Sequence, residues 1–378
     1  MLHLLRQSSR ERFYHEMEAR EILSYLPQCD DYCFASTGRS LISLLIKQLG
    51  LTDEDTCLMP AYVAEGVIQP FIQSGVNVQF YTADEKLFAK PEALETQIEN
   101  DPSIKLLVLI HPFGFEQPIK PIKKRLFHKK IRILEDCAQS LFCKNAEGDL
   151  LGGEGDFSLF SLNKYLPVPD GAILQSYLPA VKVASAGFEP ESEERKASIQ
   201  NYMEHLHLNF EMLESDAPSE SQEILEKTGD AYERYYAFIS HNLSLYHPCP
   251  ETLGRLKTID FEKMMAQRII NTRFLYENLR NNTFRFVYET WDENCIPMTV
   301  PVYVNPGQRN RVISELFDQN ILLSTLIDKW DFIPKDQIDN FPMEKQFIDS
   351  HLLIPVNEFL SINQMEKMVE ILNKILTK

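Results

Sequence analysis

The sequence predicts an α/β protein: an open, mainly parallel sheet flanked by helices, followed by a smaller α+β unit. Three observations carry this. Strand-like and helix-like segments alternate through the first half of the chain. One of the strands, KLLVLI at 105–110, is a continuous apolar run, the pattern of a parallel strand buried on both faces. The rhythm then stops near Ala184 and resumes only after residue 250.

The elements follow in order. Ser40–Leu49 (SLISLLIKQL) has helical spacing and ends at Gly50, a natural helix stop. Thr56–Met59 is a short strand halted by Pro60, and Val63–Ser74 is a helix closing at Gly75. Val76–Tyr81 alternates as a strand. Pro91–Asn100 is a helix, Lys105–Ile110 the apolar strand, Lys120–His128 a basic helix, and Ile131–Leu134 the next strand. Phe157–Ser161 and Gly171–Ser176 are two more. From Ala184 to Tyr246 the chain is acidic, helical and strand-free, with Glu189–Glu194 (EPESEE) a solvated charge run; it reads as an insertion. Leu253–Asn278 predicts one long amphipathic helix, and Ile296–Val304 a strand pair around Pro297 and Pro301. A helix at Arg309–Gln319, a strand at Leu352–Val356 and a helix at Asn363–Lys374 complete the smaller unit. The domain expectation is therefore 1–250, an N-terminal arm with the large domain, and 251–378, the small one; a chain of 378 residues is too long for one small core.

Composition narrows the partners. With 38 basic against 55 acidic residues the net charge is -17, which disfavours nucleic acid and anionic membrane surfaces. An anionic ligand must then be held by a local device. The N-terminal apolar run turns charged at once, unlike a signal segment, and no stretch approaches the roughly 20 apolar residues of a membrane helix. Seven scattered cysteines without a CxxC pair fit free thiols in a reducing, cytoplasmic setting. Cys29 and Cys33 lack a second ligand pair, and His205 and His207, two apart, do not share a helical face, so no metal is assigned.

In parallel α/β sheets ligands sit beyond the carboxyl ends of strands. Glu135 and Asp136 end the strand of IRILEDCAQS, and Lys164 stands just past the strand of FSLFSLNKYL, among Phe160, Leu162, Tyr165 and Leu166. Either alone is a common surface feature. The turn Ser36–Ser40 (STGRS) opens a helix whose free N–H groups could bind a phosphate, although simple capping by Thr37 accounts for it equally well. Together the three suit pyridoxal 5'-phosphate (PLP). That cofactor needs a phosphate cradle, an acid under its ring nitrogen and a lysine amine for its aldehyde. The Gly152–Gly155 run is followed by a strand, not a helix, and so reads as a turn and not a nucleotide loop.

At these residues the chain resembles the DegT/DnrJ/StrS aminotransferases, PLP enzymes of fold type I. The resemblance lies in Thr37-Gly38-Arg39-Ser40-Leu41, Glu135-Asp136-Cys137-Ala138-Gln139, Gly155-Asp156, Phe160-Ser161, Lys164 and Asp170-Gly171. Pro60-Ala61-Tyr62, His111-Pro112-Phe113-Gly114 and the tail from His351 add to it. It implies a seven-stranded-type sheet and a Schiff base on Lys164. It further implies Asp136 on the pyridinium, Gln139 on the ring hydroxyl, Tyr62 stacked on the ring, and Gly38, Arg39, Ser40 and Ser161 around the phosphate. It also implies a homodimer. The segment after Lys164, LPVPDG, departs from the usual glutamate-glycine run, and the family's G-x-N-x-R segment has no counterpart in the middle region.

The expected activity is transfer of an amino group from glutamate to a keto-sugar, nucleotide-linked, in surface polysaccharide or amino-sugar biosynthesis. The partners are then a small amino donor and a small keto acceptor, with no nucleic acid and no membrane. Another PLP reaction of lyase or desulfurase type, or a non-catalytic binding subunit, are the alternatives.

Overall fold

The computed structural model describes residues 20–375 apart from 185–186, 215–217, 320, 324, 326–331 and 334–336. The expected N-terminal arm lies mostly outside them; its described end is a short helix, α1 (Arg20–Leu23). The main sheet has seven strands: β1 (Asp31–Ala35), β2 (Thr56–Pro60), β3 (Asn77–Tyr81), β4 (Ile104–Ile110), β5 (Arg132–Asp136), β6 (Phe157–Ser161) and β7 (Ala172–Ser176). Their order is β1-β7-β6-β5-β4-β2-β3. The pairs from β3 to β6 are parallel, while β7 runs antiparallel to both β6 and β1. The sheet is thus mainly parallel, as expected, with one reversed strand.

Four helices connect these strands: α2 (Gly38–Leu49), α3 (Glu65–Gln73), α4 (Pro91–Asn100) and α5 (Ile119–Leu126). α2 starts where Thr37 accepts the Ser40 N–H at 3.2 Å and stops at Gly50, whose φ of 64° lets its N–H reach back to the carbonyls of Ile46 and Lys47. β4 is buried at every position except Lys105, in keeping with its apolar run.

The middle region is a helical hairpin, α6 (Glu193–Glu214) and α7 (Pro218–Ile239), whose two helices pack along each other. Next come α8 (Pro250–Leu256) and α9 (Phe261–Asn278). The single long helix expected here is two. The Asp260 side chain accepts the Lys263 N–H at 3.0 Å, an N-cap that starts a new helix. Leu253, Leu256, Phe261 and Met264 pack with β6 and β7 residues, so the start of α9 lies against the main sheet.

A second sheet, order β10-β9-β8, is antiparallel: β8 (Phe284–Phe286), β9 (Thr299–Val304) and β10 (His351–Pro355). The strand pair expected at 296–304 is one strand. Pro297 has no N–H to give to a ladder, and the Met298 N–H goes to the Phe113 carbonyl at 3.3 Å. Its partner β8 lies earlier in the chain. α10 (Arg309–Phe317), α11 (Pro342–Ser350) and α12 (Ile362–Lys374) surround this sheet, and α12 opens with a full capping box at Ser361 and Gln364. Leu275, Val300, Val302, Leu352, Ile354, Met365 and Leu372 are among its core. No helix among the described residues is long and apolar enough to cross a membrane.

Candidate active site

β5 and β6 are paired and parallel, so their ends bring Asp136 and Lys164 to one side of the sheet. Asp136 is 3% exposed. Its Oδ1 accepts the Ala138 N–H at 2.9 Å, and among the described residues Oδ2 has no hydrogen-bond partner. Burial raises its carboxyl above the usual range, and the Lys164 ammonium works against that rise. Lys164 ends a 3-10 turn, Leu162–Lys164, that leaves β6. Its surface is open to water although protein surrounds it on most sides, so it stands in a recess. Loss of solvent pushes its amine below the ordinary lysine value, Asp136 raises it, and Arg39 lowers it further. The wetting of the side chain limits the size of this effect but not its direction.

Glu135 is held differently. Its Oε1 accepts the N–H groups of Glu154, at 2.7 Å, and Gly155. Its Oε2 meets His111 Nε2 at 2.8 Å, both groups being fully buried. Because His111 Nδ1 accepts the Gln117 N–H at 3.0 Å, the imidazole proton is assigned to Nε2 and donates to Glu135. The Gly152–Gly155 turn does bind an anion, then, but the anion is this carboxylate. A Cβ on Gly155 would lie 3.0 Å from the Ile133 carbonyl oxygen and from Glu135 Cγ, so a larger residue there would have to displace one of them.

Gln139 is oriented by strained backbone. Phe113, fully buried, has φ 57° and sends its N–H to Gln139 Oε1 at 3.0 Å. Gln139 Nε2 therefore faces away from Phe113 and has no acceptor among the described residues. Tyr165 locks the same segment by donating to the Gln139 carbonyl at 2.7 Å.

At the start of α2, Gly38 and Arg39 are the first two helical residues, and their N–H groups have no protein acceptor among the described residues. A Cβ on Gly38 would sit in ordinary contact with Leu159, 3.5 Å away, so the backbone does not demand glycine. The Arg39 guanidinium is already engaged: Nη1 donates to Gln69 at 2.7 Å and Nη2 to the Tyr236 hydroxyl at 3.0 Å. Ser40 is 1% exposed and its hydroxyl donates to the Thr37 carbonyl at 2.9 Å, so it serves the cap. With these side chains engaged in protein bonds, the free N–H groups are what this helix start offers an anion. Ser161, half-buried, donates to Asn163 Oδ1 at 3.0 Å.

Tyr62, the residue that the resemblance sets on the cofactor ring, follows β2 directly. It is 2% exposed within the main core, and its hydroxyl donates to the Leu87 carbonyl at 2.9 Å. Its first charged neighbour is Asp136, so it stands on the same side as the candidate site.

Sequence inspection missed three features. The hairpin α6–α7 abuts the site: Arg195 of α6 pairs with buried Asp170 at 2.8 Å, and Tyr236 of α7 meets Arg39. Asp170 also accepts from Thr252 and from the Cys249 N–H. Gly171 next to it takes φ 115° and donates to the Ser36 carbonyl at 2.7 Å, joining the lysine loop to the start of α2. Arg268 of α9 is the third. Its Nη2 donates to the Tyr165 carbonyl at 3.2 Å and its Nη1 to those of Pro297 and Met298, each at 3.3 Å. Nε lies 2.8 Å from Glu358 Oε2, a buried ion pair off the N–H axis. Only the tyrosines and arginines themselves hinted at these contacts in the sequence. A cleft of about 590 Å³ elsewhere, between the Ser40–Lys47 face of α2 and Leu243–Leu245, contains neither Lys164 nor Asp136 and presents no such constellation.

Residues 23–216, just over half of the chain, match the model of the DegT/DnrJ/EryC1/StrS aminotransferase family. The chain belongs to that family. The seven-stranded sheet is that of solved relatives. An aminotransferase of Streptoalloteichus hindustanus is 14% identical, with a TM-score of 0.67 over 95% of this chain and 89% of that one. A Streptococcus pneumoniae protein solved in its PLP form is 12% identical, with a TM-score of 0.68 over 96% and 91%. A sugar aminotransferase of Micromonospora echinospora is 14% identical, with a TM-score of 0.62 over 90% and 86%. At these identities the likeness is one of fold. No curated protein matches the chain by sequence. Family membership makes the chain an aminotransferase, acting on a small amino donor and a small acceptor.

Proposed function

We propose that this aminotransferase carries pyridoxal phosphate on Lys164 and moves an amino group from glutamate to a keto-sugar. The observation that supports this most is the state of Asp136: buried, tied by one oxygen to Ala138, with the other oxygen unpartnered beside a lysine of lowered basicity. A buried carboxylate with a free oxygen calls for a cationic partner, and a protonated pyridine nitrogen is one. When bound there, the cofactor supplies an electron sink for the charge left as a substrate α-proton departs.

The chain's own groups do the rest. Lys164 Nζ holds the aldehyde carbon and, when released, takes and returns the proton. Asp136 keeps the ring nitrogen protonated. Gln139 Nε2 donates to the ring hydroxyl, and the N–H groups of Gly38 and Arg39, with Ser161 Oγ, receive the phosphate at the positive end of α2. The acceptor is nucleotide-linked, and the setting is amino-sugar or surface-polysaccharide synthesis in the cytoplasm by a homodimer. Residues 1–250 form the large domain and 251–378 the small one.

The test is spectroscopic. Purified protein incubated with pyridoxal phosphate should gain a visible absorption band, glutamate should bleach it, and Lys164→Ala should never acquire it. A wild-type protein that stays colourless would overturn the assignment.

A further inference from the structure

Tyr165 follows Lys164 directly, and no part of the proposed chemistry falls to it. It is 2% exposed, and separate segments hold it. Its carbonyl accepts from Arg268 Nη2 at 3.2 Å, and that guanidinium stands 5.0 Å from the ring centroid. Phe142 meets the ring edge-on, with centroids 6.2 Å apart. The Tyr165 hydroxyl lies 2.7 Å from the Gln139 carbonyl and 3.1 Å from that of Ile296. A hydroxyl has one proton to donate. The shorter bond, to Gln139, takes it, while the Ile296 carbonyl receives the Cys143 thiol at 3.2 Å. The place of the Gln139 bond matters. β5 and β6 run side by side, and just past β5 the Cys137 N–H still reaches the Leu159 carbonyl at 2.8 Å. From there one chain continues to Gln139 and the other turns through Leu162–Lys164. Among the described residues, the next bond between the two is Tyr165 to Gln139.

We infer that Tyr165 is a positioning residue: it keeps Gln139 in register with Lys164, and so sets the hydrogen bond that Gln139 gives to the ring hydroxyl of the cofactor. This rests on the cofactor reading above. The aldehyde carbon and the hydroxyl of pyridoxal phosphate sit on neighbouring ring atoms, so the lysine and the donor that serve them must hold a fixed spacing. The Phe113 N–H decides which atom of the Gln139 amide faces outward, and Tyr165 decides where the backbone beneath that amide stands. An N–H donor favours the ionised form of the oxygen it meets. When the donor drifts, the proton that the ring oxygen shares with the lysine nitrogen is held more tightly and leaves at higher pH. Tyr165 itself stays a donor throughout, because burial pushes its phenol well above the ordinary value.

The experiment titrates the visible band of the pyridoxal phosphate-loaded protein against pH in wild type, Tyr165→Phe, Gln139→Leu and the double variant. The charged and titratable groups around Tyr165 are Cys143, Cys295 and Arg268, and those around Lys164 are Asp136 and Arg39; all four proteins keep them. The midpoint should rise by about half a pH unit or more in Tyr165→Phe, roughly a threefold tighter hold on the proton. It should rise at least as far in Gln139→Leu, and Tyr165→Phe should add nothing in that background, as two residues on one path require. The melting temperature of the cofactor-free protein should fall by only about 1–2 °C in Tyr165→Phe. A midpoint that stays at the wild-type pH in Tyr165→Phe, a shift that adds in full to that of Gln139→Leu, or a Tyr165→Phe chain that no longer folds would each overturn the inference. None of these would touch the cofactor reading, which falls, and takes the inference with it, only if the wild-type protein gains no visible band.

Discussion

Arg195 holds the hairpin to the loop that follows Lys164, and its replacement is the most quantitative probe of that attachment. The side chains of Arg195 and Asp170 are 4% and 1% exposed and meet at 2.8 Å. Arg195 also donates to the His247 carbonyl at 2.7 Å and pairs with Glu191. Arg195→Ala leaves a buried carboxylate with only the Thr252 hydroxyl and the Cys249 N–H. Removing one partner of such a pair costs about 3–5 kcal/mol. An unfolding entropy of about 2.1 cal/mol/K per residue gives roughly 0.8 kcal/mol/K for the whole chain, so the melting temperature should fall by about 4–6 °C. The loss should also depend on pH. Burial already raises the Asp170 carboxyl, with Thr252 and then Arg195 opposing the rise; without Arg195 it rises further. A carboxyl raised in the folded state contributes stability that is present below its unfolded value and lost as pH rises through the folded value. The deficit should therefore be larger at pH 8 than at pH 5. Calorimetric or fluorescence melting at both pH values provides the assay. Asp170→Asn combined with Arg195→Met, which removes both charges, should recover part of the loss. A shift below about 1 °C in Arg195→Ala, or no recovery in the double variant, would refute the reasoning.

Other outcomes follow from the same geometry. A Cβ at Gly152, where φ is 99°, would lie 2.8 Å from Phe160 Cζ and 2.9 Å from Cys137 Sγ, so Gly152→Ala should cost about 2–4 kcal/mol in urea unfolding. Gly38→Ala, with only a 3.5 Å contact, should cost less than about 1 kcal/mol in the same measurement. Tyr62→Phe should lose about 1 kcal/mol of stability, from its bond to the Leu87 carbonyl. A visible cofactor spectrum unchanged in this variant would set Tyr62 apart from the ring, whereas a spectral shift would place it there. Because the Lys164 amine is lowered, its capture of pyridoxal phosphate, followed by absorbance against pH, should rise with a midpoint below that of free lysine.

Much of this was legible in the sequence because it is local. The apolar run of β4, the stop at Gly50, and the acid and lysine at two strand ends each depend on a few neighbouring residues. β1 was not legible. DYCFA is short, begins with Asp31, and becomes a strand through antiparallel pairing with β7, about 140 residues away. Tyr62 drew attention by the resemblance of Pro60-Ala61-Tyr62 alone; its bond to the Leu87 carbonyl, 25 residues on, has no signal in the sequence. The hairpin was equally opaque. A solvated acidic charge run marks its entry, while its attachments to Arg39 and Asp170 span 197 and 25 residues. Periodicity reports which face of a helix is apolar, not which distant arginine a tyrosine will meet.

Arg268 has a mechanical consequence. It pins three pieces of chain at one buried point: the lysine turn through Tyr165, the entry to β9 through Pro297 and Met298, and the segment after β10 through Glu358. Pulling the second sheet away from the turn would strand a cation in a dry interior. The lysine turn and the second sheet are therefore bound to each other at that point. The hairpin is tied to the same region by a second buried pair, Arg195 with Asp170, and by Tyr236 on Arg39.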